Sequence, residues 1–302
     1  MNGDSFLLES LGLYKWTILS ALAIAPALAL VGAQALARGW SLRALVVGQG
    51  TSFGTYFALL MVGWIGWTHD SGHPVEDFQQ FLFILTVSVM VAAIIGLLTI
   101  WIESRLLRPG DPSRTQTVMA FLTLLLAASA VIVATSPHLE THLASAFTGD
   151  LSTASDLESR LTLGLGLGVL GWVWLNWRRL SKSAFERVVL LREGARLESI
   201  EVAFSLLALV AMALTVHALG LLFVLGSLFV PSSVLSLLGG KSQSLATFRW
   251  QLVLTAISGA AIGFGVSLAS NTLPTAPMIV FCQAIFGGAI GAATHLLARR
   301  RT

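Results

Sequence analysis

The chain has 302 residues, of which 55% are of hydrophobic types and only 11% are charged, against roughly 25% charged residues in an average soluble domain. Its 15 acidic and 18 basic residues are too few to cover a soluble globule of this size, which excludes an ordinary soluble enzyme and favours a polytopic membrane protein. A single cysteine, Cys282, excludes a disulfide framework.

Nine apolar segments are long enough to cross a bilayer as helices, for which about 20 residues suffice. In chain order they are Tyr14 to Ala37, Leu42 to Trp67, Gln79 to Trp101, Val118 to Thr135, Leu161 to Trp177, Val202 to Leu219, Leu221 to Leu238, Trp250 to Leu268 and Met278 to Leu297. We therefore predict an all-α bundle that forms one transmembrane domain over residues 1–302. Because acidic residues precede the first segment, we interpret it as a permanent span and not as a cleavable signal peptide.

Only Gly220 separates the sixth segment from the seventh. Either a tight turn at Leu219 and Gly220 reverses the chain, or one of the two is a broken or re-entrant helix, which would leave eight full spans.

The basic residues predict the orientation, because lysine and arginine are enriched in cytoplasmic loops. With nine alternating spans, sixteen of the 18 basic residues fall on one side, and nine of the 15 acidic residues fall on the other. We expect the N-terminus outside, the C-terminus in the cytoplasm, a basic cytoplasmic loop over residues 178–198, and outside loops over 68–78 and 136–160. The net charge of +3 therefore reflects membrane orientation and does not indicate nucleic-acid binding.

The predicted spans carry no aspartate, glutamate, lysine or arginine at their centres. This disfavours a proton pump or a secondary transporter, which use ionisable groups inside the membrane. The chain also has no P-loop, so an ATP-driven role requires a separate ATPase subunit.

Glycines four residues apart allow helix backbones to approach closely in lipid. Three spans carry such pairs, namely Gly164 with Gly168, Gly259 with Gly263, and Gly287 with Gly291. Gly166, Gly168 and Gly171 also fit the G-x-G-x-x-G spacing, but they lie within an apolar span, so we favour helix packing over nucleotide binding.

Histidines supply the candidate metal ligands. His69 and His73 lie in one predicted outside loop, and His138 and His142, spaced i, i+4, lie in the other. The alternative, which we favour, is that both loops are solvated polar segments. His217 lies near the end of the sixth span, where it either binds a metal or is a hydrogen-bonded interhelical residue.

Intramembrane polar side chains are concentrated in two spans. They are Gln49, Thr51 and Ser52 in the second segment and Ser227, Ser232 and Ser233 in the seventh. Such groups either line a pathway or join helices by hydrogen bonds.

The longest basic loop contains a predicted short amphipathic helix from Lys182 to Leu197. This helix either lies on the anionic membrane surface or docks a soluble partner.

Five short elements occur in a specific order. They are Arg38 to Gly54, Phe147 to Asp150, the set Phe185, Glu186, Leu190 and Gly194, the run Gly220 to Pro231, and the turn Leu273 to Pro277. This order resembles the permease family of metal-ion ABC importers, the zinc, manganese and iron group, over nearly the whole chain.

The resemblance implies the permease of a type II importer in a bacterial cytoplasmic (inner) membrane. Two permeases, as a homodimer or with a paralogue, would form the pathway, two ATPase subunits would bind ATP and Mg²⁺, and a solute-binding protein would dock outside. The chain itself would bind no cofactor and catalyse no reaction. Phe185 to Gly194 would be the coupling helix that contacts the ATPase. The expected pathway residues are Gln49, Ser52, His217, Ser227, Pro231 and Ser232, of which Gln49 and Ser52 should face a cavity at the dimer interface.

Two family ligands are missing from this sequence. Family members typically carry an aspartate and a histidine four residues apart in the second span, where this chain has Leu45 and Gln49. Leu190 and Ala276 are milder departures from the family pattern. Three explanations remain open: a metal passes without this site, the cargo is neutral or chelated, or the chain is the degenerate half of a heterodimer. A non-transport membrane scaffold is the alternative from another class.

Overall fold

A computed structural model describes residues 12, 14–65, 74–106, 113–135, 156–190, 199–238, 244–270 and 273–299. Within these ranges the secondary structure is helical and contains no strand. The helices are α1 (Lys15–Ala37), α2 (Ser41–Ile65), α3 (Pro74–Leu106), α4 (Ser113–Thr135), α5 (Asp156–Leu190), α6 (Ser199–Leu219), α7 (Leu221–Leu238), α8 (Leu245–Ser270) and α9 (Thr275–Arg299). The all-α bundle predicted from the nine apolar segments is confirmed.

Seven of these helices, all except α4 and α5, are long and apolar enough to cross a membrane. The apolar part of α4, Val118–Ala134, is shorter. In α5, the predicted span contains four glycines and three tryptophans, which lower its hydropathy. Membrane passage of α4 and α5 stays a prediction.

Helix α1 lies at the centre of the bundle and packs against α5, α7 and α8. In its span 72% of the residues are buried, against 28% in α3. Its many alanines have small side chains, so neighbouring helices can approach its backbone closely. At Gly32 the approach is so close that an added Cβ would overlap the main chain of Leu228 on α7. Small residues therefore allow several helices to surround α1 closely.

A glycine-dependent turn ends α1. Gly39 adopts a φ of +67°, which a glycine tolerates at no steric cost. The N–H of Gly39 donates to the carbonyl of Leu36 at 2.9 Å, and that of Trp40 donates to the carbonyl of Ala35 at 2.8 Å. This is a Schellman motif, and it fixes Arg38 at the last position before the turn.

Two polar contacts show that α1 and α5 run in the same direction. Near the starts of both helices, the hydroxyls of Thr17 and Ser159 lie 3.1 Å apart. Toward their ends, Gln34 Nε2 donates to Ser181 Oγ at 3.1 Å. We call the end of the bundle near Ser159 the Glu158 end, and the end near Ser181 the Arg38 end.

Helix α6 runs antiparallel to α5. Its first turn contacts the Arg38 end of α5, where Ser183 Oγ donates to Glu201 Oε1 at 2.8 Å. Its last turn reaches the Glu158 end, where His217 contacts Glu158. These directions agree with the alternation of spans predicted from the sequence.

The joint between α6 and α7 is one buried residue, Gly220, with a φ of +85°. Helix α7 has 18 residues, about 27 Å at 1.5 Å per residue, and both helices meet the length and hydropathy of a span. The structure therefore favours two spans at this point over a single re-entrant helix.

Helices α2, α3 and α4 form a second packing unit beside α1. Val46, Ile95 and Val118, one from each helix, belong to one buried cluster. Helix α2 also contacts α6 and α7, so the polar residues near its middle are enclosed by helices.

Candidate coupling segment and translocation pathway

The predicted coupling residues lie at the end of α5, which continues without interruption from Asp156 to Leu190. We call residues 182–190 the coupling segment. Residues 178–190 are helical, which agrees with the helix predicted from Lys182, but they continue α5 and do not form a separate short helix. The helix continues because no proline interrupts it and most of its residues after Trp177 have good helix propensity. Glu186 and Leu190 lie in its last turns, whereas Gly194 and the rest of 191–198 lie outside the described residues.

Residues 180–184 form what we call the base of the coupling segment, and all of them except Lys182 are buried, whereas the next side chain, that of Phe185, is exposed. Leu180, Ser183 and Ala184 are buried, whereas the ring of Phe185 is 74% exposed. Glu201 of α6 is itself buried and accepts the hydrogen bond from Ser183. A large aromatic side chain therefore projects from a fixed base.

Arg38 also holds this base, a role that the sequence analysis did not predict for it. Its Nη1 donates to the carbonyl oxygen of Gln34 at 3.0 Å and to Gln34 Oε1 at 2.8 Å. Its Nη2 donates to the carbonyl oxygen of Leu180 at 2.9 Å. One sequence signal was available, namely an arginine directly before a helix-ending glycine with a glutamine one turn earlier.

Two predicted pathway residues on α2 are buried inside the single chain. Gln49 is 4% exposed and Ser52 is 2% exposed. Ser52 Oγ lies 3.5 Å from the carbonyl oxygen of Gly48, which belongs to the same helix. Because α3, α4, α6 and α7 surround α2, the expectation that both residues face a cavity at a dimer interface is not supported by this conformation.

The pathway candidates on α7 make hydrogen bonds within the protein. Ser227 Oγ accepts a hydrogen bond at 3.1 Å from Nε2 of Gln283 on α9, and both side chains are fully buried. Ser232 Oγ donates to the carbonyl of Phe229 at 3.0 Å in its own helix, and Pro231 is buried beside it. This geometry favours helix joining over pathway lining for Ser227.

His217 makes an interhelical contact at the Glu158 end. Its Nε2 lies 3.2 Å from Glu158 Oε1, with 14% and 20% of the two side chains exposed. The ring of Phe81 on α3 lies 5.5 Å from the imidazole, centre to centre. Three helices therefore meet at this histidine, and of the six predicted pathway residues it is the most accessible.

The structure describes only part of the predicted metal ligands. His69, His73, His138 and His142 lie outside the described residues, as do Phe147 to Asp150. Within the described ranges, no three histidine, cysteine, aspartate or glutamate side chains group around a point. Among the described residues, His217 and Glu158 therefore provide a pair of potential ligand atoms.

A cavity of about 380 Å³ lies at the Arg38 end among α1, α2, α3 and α6. Its wall is mainly apolar, with Arg43 and Glu201 among its polar members. None of the six predicted pathway residues lines it.

The chain matches the ABC 3 transport family over residues 11–290. No curated protein matches it. The solved structure titled "PsaBC from Streptococcus pneumoniae in complex with Fab" is similar to it with a TM-score of 0.73 and 15% sequence identity, over 99% of each chain. At this identity the likeness concerns the fold. The resemblance to permeases of metal-ion ABC importers is confirmed by the family match, and the chain belongs to the ABC 3 transport family.

Proposed function

We propose that this chain is the permease subunit of an ABC importer that takes up zinc, manganese or iron by alternating access. A solute-binding protein delivers the ion at the Glu158 end, on the outside of a bacterial inner membrane. Two permease chains form the pathway, and two separate ATPase subunits bind ATP and Mg²⁺ at the Arg38 end. The permease carries no catalytic residue.

The family match over residues 11–290 carries this proposal. The geometry of α5 supports it, because this one helix connects the Glu158 end to the exposed ring of Phe185 beyond the Arg38 end. A contact made at Phe185 therefore acts on a helix that passes through the whole bundle.

A second cargo class has its own support. Leu45 and Gln49 stand where the family carries an aspartate and a histidine, and the buried polar side chains at mid-span in the described ranges are amides and hydroxyls. A bare dication in a low-dielectric channel needs charged or strongly coordinating ligands. A metal chelate or a small uncharged solute is therefore the second candidate, within the same importer architecture.

Uptake into proteoliposomes separates the two cargo classes. The complex with its ATPase and binding protein is reconstituted, and accumulated zinc, manganese and iron are measured by mass spectrometry with and without a chelator. We expect ATP-dependent accumulation of one free ion. Uptake only of the chelated metal supports the second candidate, and activity only after addition of a paralogous permease identifies a heterodimer. An absence of ATP-dependent uptake and of ATPase binding under all conditions contradicts the importer proposal.

Replacing Phe185 tests the coupling segment. We expect Phe185→Ala to lower ion uptake about tenfold, the effect of losing about 1.4 kcal/mol of contact energy, with little effect on bundle stability because the ring is exposed. ATPase binding to the permease, measured by copurification, should weaken in parallel.

Leu167→Ala is the matched control for Phe185→Ala. Leu167 is also exposed and lies eighteen residues, or five helical turns, earlier on the same face of α5. Equal loss of ATPase binding in the two variants would contradict a specific role for Phe185.

A further inference from the structure

Arg38 joins three helices at the base of the coupling segment. Its guanidinium donates to the main chain of Leu180 on α5 and to Gln34 on α1. Its Cζ lies 4.7 Å from the ring centre of Phe204 on α6 and 5.8 Å from that of Trp40. A cation stacked on an aromatic face at this distance is attracted by it, so one side chain contacts α1, α5 and α6.

Gln34 extends the same connection by one residue. Its amide oxygen accepts from Arg38, and its amide nitrogen donates to Ser181, the neighbour of Leu180. Glu201 holds Ser183 from α6. Three of the five residues before the exposed Phe185, namely Leu180, Ser181 and Ser183, are thus hydrogen-bonded to α1 or α6.

We propose that Arg38 is a positioning residue for coupling. It holds α5 at Leu180, so that a displacement of the coupling segment by the ATPase passes into α1 and α6 and does not simply bend the end of α5. This inference rests on the proposed function, because it requires an ATPase at the coupling segment.

The chemistry of this position requires a guanidinium. Its planar fork donates from Nη1 to Gln34 and from Nη2 to Leu180 at the same time, while its face contacts Phe204. A lysine ammonium is a point charge without this flat, forked geometry. Lysine therefore preserves the charge at this position without preserving the three-helix connection.

Arg249 provides a matched control on α8. Its Nη1 also donates to a main-chain oxygen of α5, that of Trp174 at 3.2 Å, and its Cζ lies 3.6 Å from the Trp174 ring centre. The chemistry is the same, but the contact lies two turns away from the coupling segment. Removing Arg249 thus tests the effect of losing a partly buried arginine without loosening the base of this segment.

The experiment measures the number of ATP molecules hydrolysed per ion imported by the complete complex in proteoliposomes. Arg38→Gln, Arg38→Lys and Arg249→Gln are compared with the wild type, and Ser181→Ala is the milder variant should Arg38→Gln fail to assemble. Because the ratio is measured per assembled complex, a loss of folded protein alone does not change it. Basal ATPase activity and thermal stability are recorded for each complex.

We expect both Arg38 variants to raise the number of ATP molecules hydrolysed per ion at least fivefold, with basal ATPase activity unchanged. Ser181→Ala should raise this ratio about twofold, and Arg249→Gln should leave it at the wild-type value. An unchanged ratio in the Arg38 variants, or an equal rise in Arg249→Gln, would overturn the role of Arg38. These outcomes concern a wild-type complex that transports; absence of ATP-dependent uptake by the wild type contradicts the proposed function itself.

Discussion

Several buried polar residues in the described part of the chain join helices. Ser227 and Gln283 make the clearest pair, since each is fully buried and their side chains are hydrogen-bonded between α7 and α9. The sequence placed Ser227 in a span but could not identify its partner, because Gln283 is 56 residues away. It likewise could not predict that Glu201 and Arg38 would hold the base of the coupling segment.

Ser227→Ala tests this assignment. Loss of an interhelical hydrogen bond in a membrane protein costs about 0.5–1.5 kcal/mol, so the thermal unfolding temperature of the purified permease should fall slightly. The KM for ion uptake should remain unchanged, because Ser227 is fully buried and its hydroxyl is hydrogen-bonded to Gln283. Ser236→Ala, at an exposed position of the same helix, should change neither quantity. A several-fold rise in KM for Ser227→Ala alone would return this residue to the pathway.

At the level of helices, glycine spacing predicted close contacts correctly for two of the three pairs and failed for the third. In the pair Gly287 and Gly291, a Cβ added at Gly291 would lie 2.8 Å from Cβ of Leu238 on α7. The predicted pair Gly259 and Gly263 packs against Gln283 and Ile279 of α9. By contrast, Cβ atoms added at Gly164 and Gly168 would meet nothing within 4 Å in this chain, and it is Gly166 that contacts α1. The spacing indicates a surface suited to close approach, but the partner depends on how the helix is rotated, which the spacing does not fix.

Gly263→Ala should destabilise the crossing of α8 and α9. A Cβ there would lie 2.5 Å from Ile279 Cα and 2.7 Å from its main-chain nitrogen, and backbone atoms cannot yield as a flexible side chain can. We expect a loss of about 1–3 kcal/mol, measured by unfolding in mixed detergent micelles. Gly265→Ala, where an added Cβ meets nothing, should be neutral or slightly stabilising. Similar destabilisation in both variants would contradict this crossing.

At the scale of the whole molecule, the apolar segments predicted the helices in their correct order, and the structure confirms that α1 and α5 are parallel and α6 is antiparallel to them. The helix arrangement was not predictable, because burial of α1 at the centre depends on contacts with α5, α7 and α8 far along the chain. The continuity of α5 was missed since charged residues after Trp177 resemble a loop by composition alone.

The orientation in the membrane is a prediction of the same scale. In a chain whose buried Cys282 is replaced by alanine, Thr302→Cys should react with a membrane-impermeant maleimide only after spheroplasts are opened. His138→Cys should react in intact spheroplasts, because the positive-inside rule places its loop outside. The reverse labelling pattern would invert the assignment of the Arg38 end to the cytoplasm.

The length of α5 gives the molecule a mechanical property. Its 35 residues span about 52 Å, well beyond the roughly 30 Å hydrocarbon layer. With a fulcrum at Ser181, the arm to Leu190 is about 14 Å and the arm to Ser159 about 33 Å. A tilt that moves Leu190 by about 2 Å therefore moves Ser159 by about 5 Å, enough to break its contact with Thr17. If a docked ATPase tilts α5 as a rigid rod about Ser181, a small displacement of the coupling segment would therefore become a larger displacement at the Glu158 end.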